Sequence, residues 1–208
     1  MDLSSNDSIA ILSFPEQPEY PRLSRDVLRE LSDQLLAVCS SGAFRGVVIA
    51  ANSRSFAVGA KLEEVTALSG VAAFKFARLG QGICCEIARA SLPVVAAIRG
   101  FCLGGGLDLA LACHGRVAAY DSSFGSPGAT LGLVTGWGGT GRLPRRVGRT
   151  AALQMLVTGE RVPATQALTV GLVDELVPSA DLMPAALNRL AVVASTRWVP
   201  AFRGPLGL

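Results

Sequence analysis

Leu92-Pro93-Val94-Val95-Ala96-Ala97-Ile98-Arg99-Gly100-Phe101-Cys102-Leu103-Gly104-Gly105-Gly106-Leu107-Asp108-Leu109-Ala110-Leu111-Ala112-Cys113 is the most informative stretch of the chain. Val94 to Ile98 is a continuous apolar run, as expected of a strand buried on both faces. It feeds three glycines, Gly104, Gly105 and Gly106, which lead into a helix over about Leu107 to Cys113. Glycine allows close approach of backbone to a ligand and dihedrals that other residues avoid. A helix start leaves N–H groups unpaired and carries partial positive charge, which suits an oxygen that becomes negative. Asp108 follows Gly105 by three residues and so projects on the same side of the first turn. By itself the pattern fits equally a tight turn with a carboxylate favoured by the helix dipole.

Outward from this stretch the same order recurs. Ile9 to Phe14 has the pattern of a strand closed by Pro15 and Pro18. Ser24 is placed to cap a helix carrying Val27, Leu28, Leu31, Leu35 and Val38 at helical spacing. Gly46 to Ala50 is a second buried strand, Ser53 to Gly59 a loop, and Leu62 to Leu68 a short helix. Phe76, Leu79, Ile83 and Ile87 mark one face of a longer helix ending near Ser91 and Pro93. Arg116 to Tyr120 returns as a strand, Ala151 to Leu156 and Ala164 to Val170 as helices, and Leu172 to Val177 leads from core to tail. Strand, turn and helix in repetition predict an α/β fold with parallel pairing and right-handed crossovers. With 208 residues, no linker and no repeat, one domain is expected over 1–195, with an irregular tail over 196–208.

Half of the residues are hydrophobic, enough for a large core, and the net charge of +3 is too small to imply nucleic-acid binding. Arg142, Arg145, Arg146 and Arg149 form one basic cluster, which suits a solvated edge or an anion site equally. Five cysteines, odd in number and without CxxC spacing, predict free thiols and no metal cluster. The polar start MDLSSNDS is unlike a signal peptide, and no apolar run reaches membrane-spanning length; a soluble cytoplasmic protein is expected.

A second glycine cluster, Gly136-Trp137-Gly138-Gly139-Thr140-Gly141, fits G-x-G-x-x-G, with Glu160 spaced for a ribose contact. That fingerprint needs a helix opening at once, and Pro144 argues against one here. It also sits late in the chain, whereas a dinucleotide loop usually opens the first βαβ unit. A dinucleotide site is therefore not expected.

Three stretches together resemble the crotonase, or enoyl-CoA hydratase/isomerase, family. Ser55 to Glu64 is similar to its F-x-x-G-A-D-[LI]-x-E loop. Leu92 to Cys113 is close to its central signature. The third match runs from Phe124-Gly125-Ser126-Pro127 through Gly138-Gly139-Thr140 and Leu143-Pro144 to Val177. The resemblance spans about residues 9 to 178. It implies a spiral of ββα units, assembly as a homotrimer or hexamer, and an acyl-CoA thioester as substrate, coenzyme A belonging to the substrate and no separate cofactor being required. It assigns the oxyanion hole to the main-chain N–H groups of Ala60 and Gly105. Backbone of Val58, Ala60 and Leu62 would lie along coenzyme A.

The match breaks at the acid–base positions. Asp108 stands at the first glutamate position of the family's hydratases, shorter by one methylene, and Gly128 stands at the second. No carboxylate occurs between Asp121 and Glu160. Asp108 is thus the sole acid–base residue expected. Lys61 replaces the usual aspartate beside Ala60, and Glu64 is a nearby carboxylate; both are otherwise ordinary surface residues. His114, the only histidine, is expected to be structural. Three functions follow: enolate-forming acyl-CoA chemistry, acyl-CoA binding without turnover, and decarboxylation of a malonyl-type thioester assisted by Lys61. The family's C-terminal helices, which complete the pocket and the trimer contact, are expected to be shortened here, Trp198 to Leu208 being rich in turn-formers.

Overall fold

The computed structural model describes residues 1–17 and 20–196; Pro18 and the segment Trp198 to Leu208 lie outside the described residues. The chain opens with strands β1 (Asp2–Asn6) and β2 (Ile9–Phe14), followed by helix α1 (Arg25–Ser40) and β3 (Gly46–Ala51). A short α2 (Leu62–Thr66) and a long α3 (Gly70–Arg89) lead to β4 (Val94–Ile98), β5 (Phe101–Leu103) and α4 (Gly105–Ala112). Next come β6 (Gly115–Ala119), β7 (Ser123–Gly125), a 3₁₀ turn (Pro127–Leu131), α5 (Gly139–Val147) and α6 (Arg149–Thr158). The last described elements are β8 (Val162–Pro163), α7 (Ala164–Thr169), β9 (Glu175–Val177) and α8 (Leu182–Ser195).

Six strands form the main sheet in the order β1-β2-β3-β4-β6-β9, parallel throughout except for the antiparallel edge strand β1. A smaller sheet has the order β5-β7-β8. Consecutive strands alternate between the two: β4 enters the main sheet and β5 the small one, then β6 and β7 do the same. Ala57, which follows β3, bridges Cys102 of β5 and so marks an earlier turn of the same winding. This is the spiral of ββα units that the resemblance implied. Its consequence is that residues 57–60, 103–108 and 125–128, each just beyond a small-sheet strand or bridge, emerge at one end of the molecule.

The local chemistry explains the elements. The Ser24 side chain caps α1 by accepting from Val27 N at 3.3 Å, and Leu28, Leu31, Leu35 and Val38 are its buried residues. Val94 to Ile98 is buried throughout, as a strand covered on both faces must be. One sheet face packs against α1, α3 and α4; the other packs Val48, Val95, Ala97 and Val117 against α8.

Three readings of the sequence change. Residues 172–177 do not merely lead out of the core, because Glu175–Val177 pairs with β6 as the last strand of the main sheet. Leu182–Ser195, not foreseen as helix, covers one whole face of that sheet with Leu182, Ala186, Leu190 and Val193. Pro184 is tolerated there because it falls in the first turn, where N–H groups have no intrahelical partner. Finally, a helix does open directly after Gly138, and Pro144 sits inside it. The dinucleotide reading still fails, because a 3₁₀ turn and a loop, not a strand, precede those glycines.

Candidate active site

α4 begins where β5 ends. Gly104 takes φ of 53°, a left-handed conformation open to glycine, and its N–H donates to Gly125 O at 2.9 Å. Its carbonyl accepts from Asp108 N at 3.0 Å to start the helix. Against it runs the segment after the Ala57 bridge. Val58 N donates to Pro21 O at 3.0 Å, and Gly59 O accepts from Leu23 N at 2.8 Å. Gly59 has φ of 90°, and a Cβ there would stand only 3.1 Å from the nitrogen of Gly105. Tight apposition of these two segments therefore requires glycine. Among the described residues, neither Ala60 N–H nor Gly105 N–H has an acceptor, whereas Val58 N–H, Gly104 N–H and Asp108 N–H are spent on backbone carbonyls.

Both unspent donors line a cavity of about 510 Å³. Val58, Leu62, Asp108 and Gly128 line it too, so all six residues assigned to the site on the sequence come together there. Phe76, Leu131, Leu133 and Val134 make much of its wall apolar. Lys61 and Glu64 are not among the lining residues: Lys61 is exposed ahead of α2, and Glu64 is half-buried in its first turn.

Asp108 is 1% exposed. Its Oδ2 accepts a hydrogen bond from the Thr135 hydroxyl and another from Trp137 N at 3.1 Å. Its Oδ1 lies where a Cβ on Gly139 would be, so glycine at 139 is what admits the carboxylate. Burial pushes the carboxyl up from 3.8 to about 6. The hydrogen bonds from Thr135 and Trp137 and the charge of Arg142 pull the other way without cancelling it. A carboxylate poised near neutrality is suited to general acid–base work.

Thr135, Trp137 and Gly139 were not assigned to the site from the sequence. They belong to the segment around the misleading G-x-G-x-x-G pattern, whose role is to hold Asp108 and to wall the cavity. Trp137 also packs edge-on to Phe76 at 5.6 Å between ring centroids. A buried tryptophan set among four glycines was the available signal, since glycines admit a large ring against backbone. At Gly128 no carboxylate is present, and the 3₁₀ turn is closed by Leu133 N donating to Gly128 O at 2.9 Å.

His114 lies away from this cavity. Its Nδ1 accepts from Val94 N at 2.8 Å, which leaves the proton on Nε2, facing Ala88 O at 3.4 Å. Burial brings its pKa down from 6.5 to about 4, so the ring is neutral and tethers the start of β4, as a structural residue does. No three His, Cys, Asp or Glu side chains form a metal-binding group among the described residues, and none of their helices is long and apolar enough to cross a membrane.

A sequence profile described as enoyl-CoA hydratase/isomerase matches residues 4–199. The chain is similar to the crystal structure of an enoyl-CoA hydratase from Bacillus anthracis, with 30% identity and a TM-score of 0.88 over 94% of this chain and 76% of that one. DspI of Pseudomonas aeruginosa is likewise 30% identical, with a TM-score of 0.87 over 96% of this chain and 75% of its own. An enoyl-CoA hydratase structure from Geobacillus kaustophilus is 28% identical, with a TM-score of 0.84, 94% of this chain and 75% of that one being covered. The chain belongs to the enoyl-CoA hydratase/isomerase family.

Proposed function

We propose that the protein binds an acyl-CoA thioester in the cavity beside α4 and carries it through an enolate. The observation supporting this is the pair of unspent amides, Ala60 N–H and Gly105 N–H, lining one cavity with a single buried carboxylate. The thioester oxygen accepts from both amides. Asp108, ionised, removes a proton from the carbon next to the carbonyl. The C–H electron pair becomes the new C=C bond, the carbonyl π pair moves onto oxygen, and the amides hold that charge. Return of the proton from Asp108 to the same carbon gives exchange; return further along a conjugated chain gives isomerisation. In hydration of an enoyl thioester, the water oxygen bonds to the β carbon as Asp108 takes its proton, the C=C pair shifts toward the carbonyl to give an enolate held by the same amides, and the proton on Asp108 is then delivered to the α carbon. Each amide aimed at a developing oxyanion is worth about 3 to 4 kcal/mol of barrier. The complex would be a homotrimer or hexamer, as the family resemblance implies.

A second reading is binding without turnover. It is favoured by the two hydrogen bonds already engaging Oδ2 of Asp108 and by glycine at position 128. One experiment separates the two. Butyryl-CoA and crotonyl-CoA are incubated with the protein in deuterium oxide and followed by mass spectrometry. Deuterium incorporation or hydration that disappears in Asp108→Asn supports enolate chemistry. Saturable binding with neither reaction, unchanged in Asp108→Asn, supports the second reading, and no binding at all overturns both.

A further inference from the structure

A second cavity, of about 390 Å³, lies at the opposite end of α4 and shares no lining residue with the acyl-CoA cavity among the described residues. Arg116 of β6, Arg142, Arg145 and Arg146 of α5 and Arg189 of α8 line it, with Asp174 as the one carboxylate among the described lining residues. Asp174 is shared three ways. It accepts from Arg116 Nη2 at 3.4 Å and from Arg146 Nη2, and it forms an ion pair with Arg189, whose Nη2 lies 3.3 Å away. Arg142 spends its donors on neutral carbonyls, those of Trp137 at 3.1 Å and Cys84 at 3.2 Å.

Three guanidinium groups therefore share one carboxylate, and Arg142 lines the same cavity without a carboxylate of its own among the described residues. Their mutual repulsion is only partly answered: Arg116, 4% exposed, has its pKa brought down to about 10 by burial, with Arg146 and Arg189 adding to the fall. Donor capacity is also left over. The buried Nε of Arg189 has no hydrogen-bond partner among the described residues. Buried charge without a partner is costly, and planar guanidinium forks match the oxygens of a tetrahedral oxyanion. We propose that this arginine cavity is an anion-binding site for a doubly charged phosphate group, distinct from the acyl-CoA cavity. Arg142 joins the two regions, because it lines the anion cavity and holds the carbonyl of Trp137, whose N–H holds Asp108. An occupied anion site would thus stiffen the segment that positions Asp108.

The test uses the full chain, with inorganic phosphate titrated against thermal unfolding at constant ionic strength, sodium chloride being replaced as phosphate rises. A saturating rise in Tm is expected, with the apparent affinity about tenfold weaker in both Arg146→Gln and Arg189→Gln, each of which loses a charged hydrogen-bond donor. Both side chains are partly exposed, at 37% and 27%, so the folded state tolerates their replacement. Arg189→Lys, which keeps the charge, should weaken binding by less than Arg189→Gln, and the exposed Arg54→Gln should leave it unchanged. Glycerol 3-phosphate run alongside tells a phosphate ester from free phosphate by which of the two binds more tightly. No stabilisation beyond that given by chloride, or the same phosphate affinity in Arg146→Gln, Arg189→Gln and the parent, overturns the proposal.

Discussion

The indole of Trp137 occupies the space into which a Cβ on Gly105 would project, so the residue proposed to bear the second oxyanion donor is held to glycine by a side chain from another part of the chain. Any substituent at 105 must push the indole away or drag the amide out of line. Overpacking of this kind costs about 1 to 3 kcal/mol. Loss of one oxyanion donor lowers turnover by about 10²- to 10³-fold. Gly105→Ala should show both effects, read by urea unfolding and by α-proton exchange of butyryl-CoA. Trimming the ring as well, in Gly105→Ala with Trp137→Leu, should destabilise by less than the sum of the two single changes, because the clash is removed. Additive losses in the double variant would mean that the indole does not constrain Gly105.

Asp108 sets the pH dependence. Its folded-state pKa is raised from 3.8 to about 6; in the proposed mechanism the working base is the ionised form, and kcat/KM should rise with pH through about 6 and then level off. Stability runs the opposite way. The folded state keeps the proton between about pH 4 and 6, whereas the unfolded chain has released it, so this group's contribution is complete below about 4 and lost as pH rises through 6. A shift of about two units corresponds to about 3 kcal/mol. The stability of Asp108→Asn relative to the parent should therefore improve by about that amount between acid and neutral pH. A pH-independent difference in unfolding free energy would remove the case for a buried, raised carboxyl.

How much of this was legible in the sequence depended on distance along the chain. The strand from Val94, the turn at Gly104 and the helix carrying Asp108 lie within fifteen residues, and local patterning was enough to find them. Ser24 and the helix behind it were equally local. α8 was missed although Leu182, Ala186, Leu190 and Val193 repeat at helical spacing, because the many alanines blur the contrast between its faces. β1 is exposed along its length and has no apolar alternation to betray it; it exists because β2 offers an open edge. The clasp on Asp108 by Thr135 and Trp137 spans 27 and 29 residues and is created by the winding of the chain, which no local pattern records.

Gly128 offers a gain-of-function test. It lines the cavity, and a Cβ there would meet Leu133 at 3.4 Å, an ordinary contact, with no left-handed φ to forbid a side chain. Gly128→Glu would supply the second carboxylate whose position it occupies. Hydration of crotonyl-CoA, which uses one group to activate water and another to deliver a proton to carbon, should rise by about 10²-fold or more. Hydration no faster than in the parent, in a variant that still binds the thioester, would show that the segment from Gly128 to Leu133 does not face the reacting carbons.

Asp174 is where stability and the anion cavity meet. It is 8% exposed, as is fitting for a carboxylate that holds Arg116, Arg146 and Arg189 at once, and it also accepts from the main-chain N–H of Arg116 at 2.7 Å. Asp174→Asn keeps the shape and removes the only carboxylate among the described residues lining that cavity, leaving the 5%-exposed side chain of Arg116 without a charge partner. Stranding a buried charge costs about 3 to 5 kcal/mol, far more than losing an exposed ion pair. A large fall in Tm is expected. Because the variant's cavity carries one more unit of positive charge, phosphate should recover more of its Tm than it adds to the parent, at the same ionic strength. If Asp174→Asn unfolds within about 1 kcal/mol of the parent in urea, Arg116 is not depending on that carboxylate, and the charge imbalance ascribed to the cavity is being relieved by other groups.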